Sequence, residues 1–195
     1  MAPTRSVEPL QLDTADRRTL LALARASIAH GLAHASPLQV RPGDYGPALR
    51  EERAVFVTLS QGGSLRGCIG HLEAVQPLVQ DVAENAFQAA FRDPRFPPVQ
   101  EDDLPRLNVQ ISVLSTPEPL PFASEEDLLS RIEPGRDGLI LRAGKARGTF
   151  LPSVWESLPE PREFLRHLKM KAGLRPDFWS EDVEIWHYHT ESFSD

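Results

Sequence analysis

The sequence predicts an α+β protein built on antiparallel strands. Segments with helical periodicity and segments with strand periodicity are interspersed along the 195 residues, and neighbouring predicted strands are joined by short turns. Short turns join antiparallel strands, whereas a parallel pair needs a crossover of roughly a dozen residues or more. The length suits one well-buried domain, or one domain with a smaller appended lobe.

The first predicted helix covers residues 12–35, where apolar side chains recur at helical spacing. Asp13 or Thr14 can cap its start, and Gly31 can end it early. Residues 38–52 contain several glycine and proline breaks and no periodicity, so they are predicted to form a surface connection.

A hairpin and a second helix follow. Residues 54–60 are rich in β-branched and aromatic side chains, and Gly62 lies in a turn that leads to a strand beginning at Ser64. Residues 76–91 have helical periodicity, with Pro77 in the first turn.

The next segments predict two strand regions with a short helix between them. Residues 108–115 alternate like a half-buried strand. Ser124 begins a capping box and opens a short helix. Residues 138–142 and 148–151 are predicted to form a second hairpin.

The last predicted elements are two helices and a final strand. The helices cover residues 152–158 and 161–172, and Gly173 stops the second of them. The strand covers residues 183–189 and is predicted to finish the chain.

Composition limits the possible functions. The net charge of -7 argues against a general phosphate-binding surface, so nucleic acid is not an expected partner. No apolar run approaches the roughly 20 residues that span a bilayer, and no membrane association is expected. The N-terminus lacks the features of a signal peptide, and one cysteine cannot form an internal disulfide. These features predict a soluble, cytoplasmic protein.

The single cysteine, Cys68, is the leading candidate for a reactive group. In a strand, alternation places Arg66 and Cys68 on one face, and an arginine that close favours the thiolate. Gly67 and Gly70 leave the backbone beside the sulfur open to a ligand or to another backbone. The opposite face carries Leu65, Gly67 and Ile69, of which Leu65 and Ile69 are the expected core contacts.

Cys68 also has a purely structural interpretation. A lone cysteine usually behaves as a small buried hydrophobic residue, and strand glycines usually relieve crowding. His71 is a possible base, but alternation places it on the other face from Cys68 unless Gly70 kinks the strand.

Other polar groups give weaker signals. His30 and His34 are four residues apart, a spacing able to hold a metal, but the sequence offers no third ligand and no metal is predicted. His187 and His189 lie on one face of the last strand and are interpreted as part of an aromatic sheet surface. The standard nucleotide and cofactor motifs are absent from the sequence, so no cofactor is predicted.

Two charged groups have structural interpretations beside functional ones. In the turn DPRFPP, residues 93–98, Asp93 is predicted to accept from Arg95 or to cap local amides rather than to take part in catalysis. A row of cations along one helix is interpreted as a solvated face, with anion binding as the alternative. The row consists of Arg162, Arg166, Lys169 and Lys171.

Six blocks of this sequence resemble, in order and spacing, the AMMECR family. They are LRGCIG (65–70), DPRFPP (93–98), ISVLSTPEPL (111–120), GLIL (138–141), GTFLPSVWE (148–156) and FLRHLKMKAGL (164–174). The resemblance covers residues 12–193 as a single AMMECR-type domain. It is strongest to the bacterial branch of the family, the AmmeMemoRadiSam system A proteins.

The resemblance implies a fold with two lobes. A larger lobe is built from both chain ends around an antiparallel sheet with flanking helices, and a smaller α/β lobe is inserted from the middle of the chain. It implies a groove between the lobes, near the LRGCIG strand, that can hold a small-molecule ligand. The family motif is carried over without catalytic roles, with Asp93 and Arg95 as further groove candidates. Its residues are Leu65, Arg66, Gly67, Cys68, Ile69 and Gly70.

The resemblance also implies partners, since genes of the bacterial branch tend to neighbour those for a Memo-like protein and a radical SAM protein. One hypothesis is enzymatic: Cys68, activated by Arg66, acts as a nucleophile or redox thiol. The alternative is a non-catalytic adaptor, or a partner that presents substrate, in the same system. RNA or nucleotide binding in the groove is a third hypothesis, disfavoured by the acidic charge.

Overall fold

The computed structural model describes residues 12–195. Packing separates them into two compact units, which we call the terminal unit (residues 12–114 and 191–195) and the middle unit (residues 115–190). Each unit has its own hydrophobic core, and residues 12–195 contain two four-stranded sheets. The predicted α+β class is therefore confirmed. The prediction about a signal peptide concerns mainly residues 1–11, which lie outside the described part of the chain.

Helices and strands alternate along the chain much as the sequence predicts. Within residues 12–195, no helix is both long and apolar enough to cross a bilayer. The elements are α1 (Thr14–His34), α2 (Pro47–Arg50), β1 (Val55–Gln61), β2 (Ser64–Gly70), α3 (Leu78–Phe91), β3 (Leu107–Leu114), β4 (Glu118–Pro119), α4 (Glu125–Arg131), β5 (Gly138–Ala143), β6 (Ala146–Phe150), α5 (Pro161–Lys171), β7 (Val183–Tyr188) and β8 (Thr190–Ser194).

In the terminal unit, helices α1 and α3 pack together against a sheet with the strand order β2-β1-β3-β8. Asp13 caps α1 by accepting from the Asp16 N–H at 2.8 Å. Helix α1 continues through Gly31, so the predicted early end is wrong. The connection predicted over residues 38–52 contains α2, which buries Leu49 in the core.

Alternation along β1 and β3 puts one face of this sheet in the core. The core-facing side chains point to the helices, and polar side chains such as Thr58 and Gln110 occupy the other face. Strand β8 was not predicted, because its sequence TESFS contains a single apolar residue and lacks a strand pattern. The core-facing residues are Val55, Val57, Leu59, Val109, Ile111 and Val113.

The middle unit has a sheet with the strand order β4-β7-β5-β6. The predicted hairpin is confirmed, with Leu141 of β5 opposite Gly148 of β6. The helix predicted over residues 152–158 is a 3₁₀ turn, Pro152–Glu156. This turn places Trp155 on Phe164 of α5, with the two stacked rings 3.7 Å apart at their centroids. The unit therefore has an aromatic core beneath its sheet.

Candidate functional site

Strand β2, at the edge of its sheet, carries the LRGCIG motif and contains a β-bulge. Leu59 of β1 lies opposite Gly67, and the next residue, Ser60, lies opposite Leu65, so Arg66 has no partner on β1. Strict alternation fails at such a point because one strand has an extra residue. Leu65, which alternation predicts to contact the core, is 45% exposed, and that prediction is wrong.

The two glycines that flank Cys68 are positions of close backbone approach. A Cβ atom at Gly67 would lie 2.1 Å from the carbonyl oxygen of Ala89 on α3. A Cβ atom at Gly70 would lie 2.3 Å from the carbonyl oxygen of Val55 on β1. Of the two interpretations of these glycines, the structure supports contact with another backbone, because the chain itself occupies the space beside them.

Two side chains of the loop after α3 hold the backbone of Cys68. The Cys68 N–H donates to Asp93 Oδ2 at 2.9 Å, and the Cys68 carbonyl oxygen accepts from Arg95 Nη2 at 3.1 Å. Arg95 also donates to Asp93, through Nε at 2.9 Å and Nη2 at 2.6 Å. The predicted contact between Asp93 and Arg95 is confirmed. Together the two side chains bond the backbone groups of Cys68 that face away from β1, as a neighbouring strand would.

The charge on Asp93 is strongly stabilised although its side chain is only 1% exposed. The hydrogen bond from the Arg95 side chain is the main reason that the pKa of Asp93 lies far below its ordinary value. Backbone N–H groups of Cys68 and Arg95 lower it further, and these effects outweigh that of burial. The same pairing raises the pKa of Arg95. The two groups are therefore both charged at neutral pH.

The thiol of Cys68 lies on the sheet face opposite the core. Thr58, its partner in register on β1, donates a hydrogen bond from Oγ1 to the Cys68 Sγ at 3.2 Å. Its neighbours Val57 and Leu59 are buried in the core, so Thr58 and Cys68 share the other face. Cys68 is half-buried. The sulfur is therefore held by a hydroxyl group and is only partly enclosed by the protein.

Arg66 bonds to the loop after α3 and not to the backbone of Cys68. It donates through Nη1 to the carbonyl oxygen of Pro97 at 2.5 Å and through Nη2 to that of Pro98 at 3.3 Å. Its Nη2 also lies 3.5 Å from Asp103 Oδ2. The alternation on which the predicted placement of Arg66 beside Cys68 depends does not hold here, because the bulge leaves Arg66 without a partner on β1.

A second polar cluster lies directly after the motif. His71 Nδ1 is 2.9 Å from Asp81 Oδ1, and Gln76 Nε2 donates to the same oxygen at 3.0 Å. Asp81 is fully buried, and this burial raises its pKa. Within residues 12–195, Asp81 Oδ2 and Asn85 Oδ1 are buried without a hydrogen-bond partner. His71 therefore pairs with α3, which agrees with its predicted separation from Cys68.

Comparison with known families matches almost the whole chain. The model of the AMMECR1 family matches residues 21–193. The chain belongs to the AMMECR1 family. A relative from Methanothermobacter thermautotrophicus is 42% identical to this AMMECR1 chain over 191 residues, which are 95% of this chain and 96% of the relative. A relative from Methanosarcina mazei is 37% identical over 94% of each chain.

A solved structure resembles the AMMECR1 chain in its fold. The crystal structure of an uncharacterized protein, PH0010, from Pyrococcus horikoshii matches with a TM-score of 0.80 and 37% identity. The match covers 91% of this chain and 90% of that chain. These three similar proteins are archaeal, so they do not support the predicted bacterial affiliation.

The structure also shows the surroundings of two other groups singled out in the sequence of the AMMECR1 chain. The rings of His30 and His34 are 4.3 Å apart at their centroids. Lys169, predicted to lie on a solvated helix face, is 1% exposed and donates to Glu125 Oε1 at 2.7 Å. That prediction is wrong because Lys169 is on the face of α5 that packs into the middle unit, where its Nζ lies over the ring of Trp179.

The sequence did not predict a cluster of two histidines and one carboxylate that the structure contains in the middle unit. Asp137 Oδ1 lies 3.1 Å from His189 Nε2 and 3.5 Å from His187 Nδ1. The hydrogen bond with Asp137 is the main reason that the pKa of His187 is raised. The spacing of the histidines was visible in the sequence. Their contact with Asp137 depends on the register between β5 and β7, in which Gly138 lies opposite Tyr188.

Proposed function

We propose that this AMMECR1 protein carries out thiol-dependent chemistry at Cys68, on a small molecule or on a modified side chain. The observation that supports it best is the way in which Cys68 is held. Asp93 and Arg95 bond both backbone groups of Cys68 that face away from β1, and Thr58 donates to its sulfur. The thiol is therefore fixed in position while it stays half-buried.

The energetics of this arrangement favour a functional role. A buried charge is costly unless it is paired and hydrogen-bonded. Asp93 is a buried carboxylate, and it accepts a hydrogen bond from the backbone N–H of Cys68 in β2. Reactive groups work best when neighbouring side chains lock their position. The ionised pair of Asp93 and Arg95 holds the backbone of the only cysteine of the chain in this way.

The proposed system includes a Memo-like protein and a radical SAM protein as partners. This part of the proposal follows from the sequence resemblance to the AmmeMemoRadiSam system A proteins. The groove near the LRGCIG strand, with a small-molecule ligand in it, is also a prediction from that resemblance. Cytoplasmic location belongs to the same proposal, since a free thiol persists in a reducing compartment.

Thiol labelling tests the chemistry directly. Because Cys68 is the only cysteine, labelling by iodoacetamide reports on this site alone. We expect native protein to be labelled without prior unfolding, at a rate that depends on pH. A thiol that is inert until the protein is denatured would contradict the proposal.

A pair of variants at Thr58 separates a positioned thiol from a merely accessible one. Hydrogen bonds donated to a charged sulfur stabilise it, so Thr58→Val removes a favourable contact, while Thr58→Ser keeps the hydroxyl group. We expect Thr58→Val to slow labelling by roughly fivefold, the equivalent of about 1 kcal/mol, and Thr58→Ser to restore most of the rate. Equal rates in the two variants would show that the Thr58 hydroxyl has no part in the reactivity.

The alternative function is that of an adaptor or of a partner that presents substrate. The observation in its favour is that Arg66 and Arg95 both bond to backbone carbonyl groups, so much of the motif stabilises the loop after α3. Co-purification with the Memo-like and radical SAM proteins tests association, and the variant Cys68→Ser separates the two functions. Loss of a pathway product with association intact supports chemistry, and an unchanged product supports the adaptor.

A further inference from the structure

The cluster of Asp137, His187 and His189 in the middle unit brings together three potential metal ligands. Their ligand atoms all lie within 4.8 Å of one another. Zinc binds imidazole nitrogen and carboxylate oxygen at about 2.0–2.2 Å, so two such donors on one ion are separated by about 2.9–3.4 Å at octahedral to tetrahedral angles. The separations from Asp137 Oδ1 to the two histidine nitrogens, 3.1 Å and 3.5 Å, are close to that range.

The carboxylate of Asp137 is held so that one oxygen faces the histidines. Its Oδ2 accepts from the Glu133 N–H at 2.9 Å, and its backbone carbonyl accepts from the Trp155 indole N–H at 2.7 Å. Asp137 is 2% exposed. Metal-binding carboxylates are commonly oriented by such outer hydrogen bonds. Oδ1 is therefore fixed in direction by contacts that do not involve the histidines.

The two histidines are fixed by the backbone of β7 and of the residue that directly follows it. His187 lies in β7 and His189 comes just after its end, and both backbone groups of His189 are bonded to Ser115. The His189 N–H donates to Ser115 Oγ and the Ser115 N–H donates to the His189 carbonyl oxygen, each at 2.9 Å. The side chains of His187 and His189 are 22% and 25% exposed, so an ion and a further ligand can reach them.

The charge around the cluster favours a cation. Glu118 of β4 lies opposite His187 in register, so its side chain is on the same face of the sheet as His187. Glu133 donates its backbone N–H to Asp137, while its own carboxylate pairs with Arg136 at 2.7 Å. Asp137 and Glu118 therefore supply the negative charge beside two imidazoles that are neutral when they act as ligands.

We propose that Asp137, His187 and His189 bind one divalent first-row transition-metal ion. Two imidazoles and one carboxylate are the ligands of catalytic zinc sites and of non-haem iron(II) sites, which leave coordination positions open. The open positions face the exposed side of the two rings and can accept water or an exogenous oxygen ligand. This site is separate from the thiol proposed above, and either proposal can fail without the other.

Metal titration of the purified chain tests the site, with zinc and cobalt(II) as probes in a Cys68→Ser background that removes thiolate binding. We expect one equivalent of zinc to bind, and cobalt(II) to give visible absorption bands typical of a histidine and carboxylate site. The variants His187→Gln and His189→Gln are each expected to weaken zinc binding at least about tenfold, as removal even of an outer-shell partner does. Circular dichroism establishes that each variant is folded.

The matched control is the double variant His30→Gln and His34→Gln, which removes the other close pair of histidines in the described chain. We expect it to bind zinc as the parent does. Zinc binding that is lost in this control and kept in His187→Gln would overturn the proposal. So would a folded parent protein that binds no zinc or cobalt(II), since the three residues would then form only a hydrogen-bonded cluster.

Discussion

At the scale of single residues, Gly67 shows how tightly the LRGCIG strand is packed. The absence of a side chain there lets α3 approach β2, since a Cβ would lie 2.1 Å from the backbone oxygen of Ala89. The obstacle is backbone and cannot rotate away. A side chain at this position would force α3 to shift, and such a shift would disturb the packing of the buried face of that helix.

Replacement of Gly67 by alanine tests this contact. We expect Gly67→Ala to lower the free energy of unfolding by about 1–3 kcal/mol, because overpacking forces a shift of α3 or β2. Urea denaturation of the purified variant measures the change. Gly43→Ala is the control, because a Cβ at Gly43 has no atom within 4 Å. A loss of stability in the control as large as in Gly67→Ala would show that the contact is not responsible.

Asp93 contributes to stability through its charge. We expect Asp93→Asn to lower the free energy of unfolding at neutral pH by about 1–3 kcal/mol, because Arg95 and the Cys68 N–H lose a charged acceptor. The folded-state pKa of Asp93 lies below its unfolded value, so this contribution is complete above the unfolded pKa of about 3.9 and disappears as the pH falls towards the folded pKa. The difference in unfolding free energy between the parent protein and Asp93→Asn should therefore become smaller in acid. Urea denaturation at several pH values measures this difference.

Asp177 provides the control for this charge effect. It pairs with Arg175 at 2.7 Å across the same two-residue spacing, but its side chain is 68% exposed. Exposed ion pairs contribute little to stability, so we expect little or no change in Asp177→Asn. If the difference in unfolding free energy between the parent and Asp93→Asn became larger in acid, the effect could not be assigned to an ionised Asp93.

At the scale of elements, Ser27 joins three parts of the terminal unit. Its buried hydroxyl on α1 donates to the carbonyl oxygen of Ala83 on α3 at 2.6 Å and accepts from the Leu38 N–H at 3.1 Å. The hydroxyl thus connects two helices and the chain that leaves the first of them.

Removal of this hydroxyl should loosen the contact between the helices. We expect Ser27→Ala to cost about 1–3 kcal/mol of unfolding free energy, because the Leu38 N–H would be left without its acceptor. Amide hydrogen exchange at Leu38 should become faster. Ser130→Ala is the control, since that hydroxyl donates to the Asp127 carbonyl on an exposed face of α4 and its loss should stay within about 0.5 kcal/mol. Unchanged exchange at Leu38 would argue against the connecting role of Ser27.

Elements whose signals are local could be predicted from the sequence. The capping residue Asp13, the helix stop at Gly173 and the turn around Asp93 depend on neighbours a few residues away, and the structure contains all three. The bulge at Arg66 depends on how β2 aligns with β1. Sequence alternation alone does not specify that alignment, and for this reason it wrongly predicted that Leu65 contacts the core.

Contacts between distant residues account for the rest of the site. Asp93 meets Cys68 across 25 residues of sequence, and Asp137 meets His189 across 52. The first contact joins two motifs that the family resemblance predicts at one groove, but the hydrogen bond between them was not predicted. The second depends on the register of β5 with β7, which no local pattern specifies.

At the scale of the whole molecule, the last five residues belong to the terminal unit although the middle unit precedes them in sequence. Glu191 pairs with Arg17 at 2.7 Å, and Asp195 bonds to Arg25 and to the side chain of Asn108. The Asp195 carboxylate also accepts from the Val109 N–H at 3.0 Å. These contacts attach the C-terminal segment to α1 and β3.

Deletion of residues 191–195 should therefore weaken the terminal unit selectively. We expect faster amide hydrogen exchange in residues 12–114 and little change in residues 115–188, because the middle unit has its own core. Exchange measured by mass spectrometry resolves the two units. Glu191→Gln, which removes one surface ion pair, should change unfolding free energy by at most about 1 kcal/mol. Uniformly faster exchange over both units would contradict this expectation.

The contacts that Asp93 and Arg95 make with Cys68 have a consequence for association between molecules. Strand β2 is an edge strand, and an edge with free N–H and carbonyl groups can template pairing with a strand of another chain. The two side chains occupy those groups at the centre of β2. The same two side chains that hold Cys68 therefore also hinder pairing of this edge with a strand of another molecule. The strand that carries the family motif is in this way less open to aggregation.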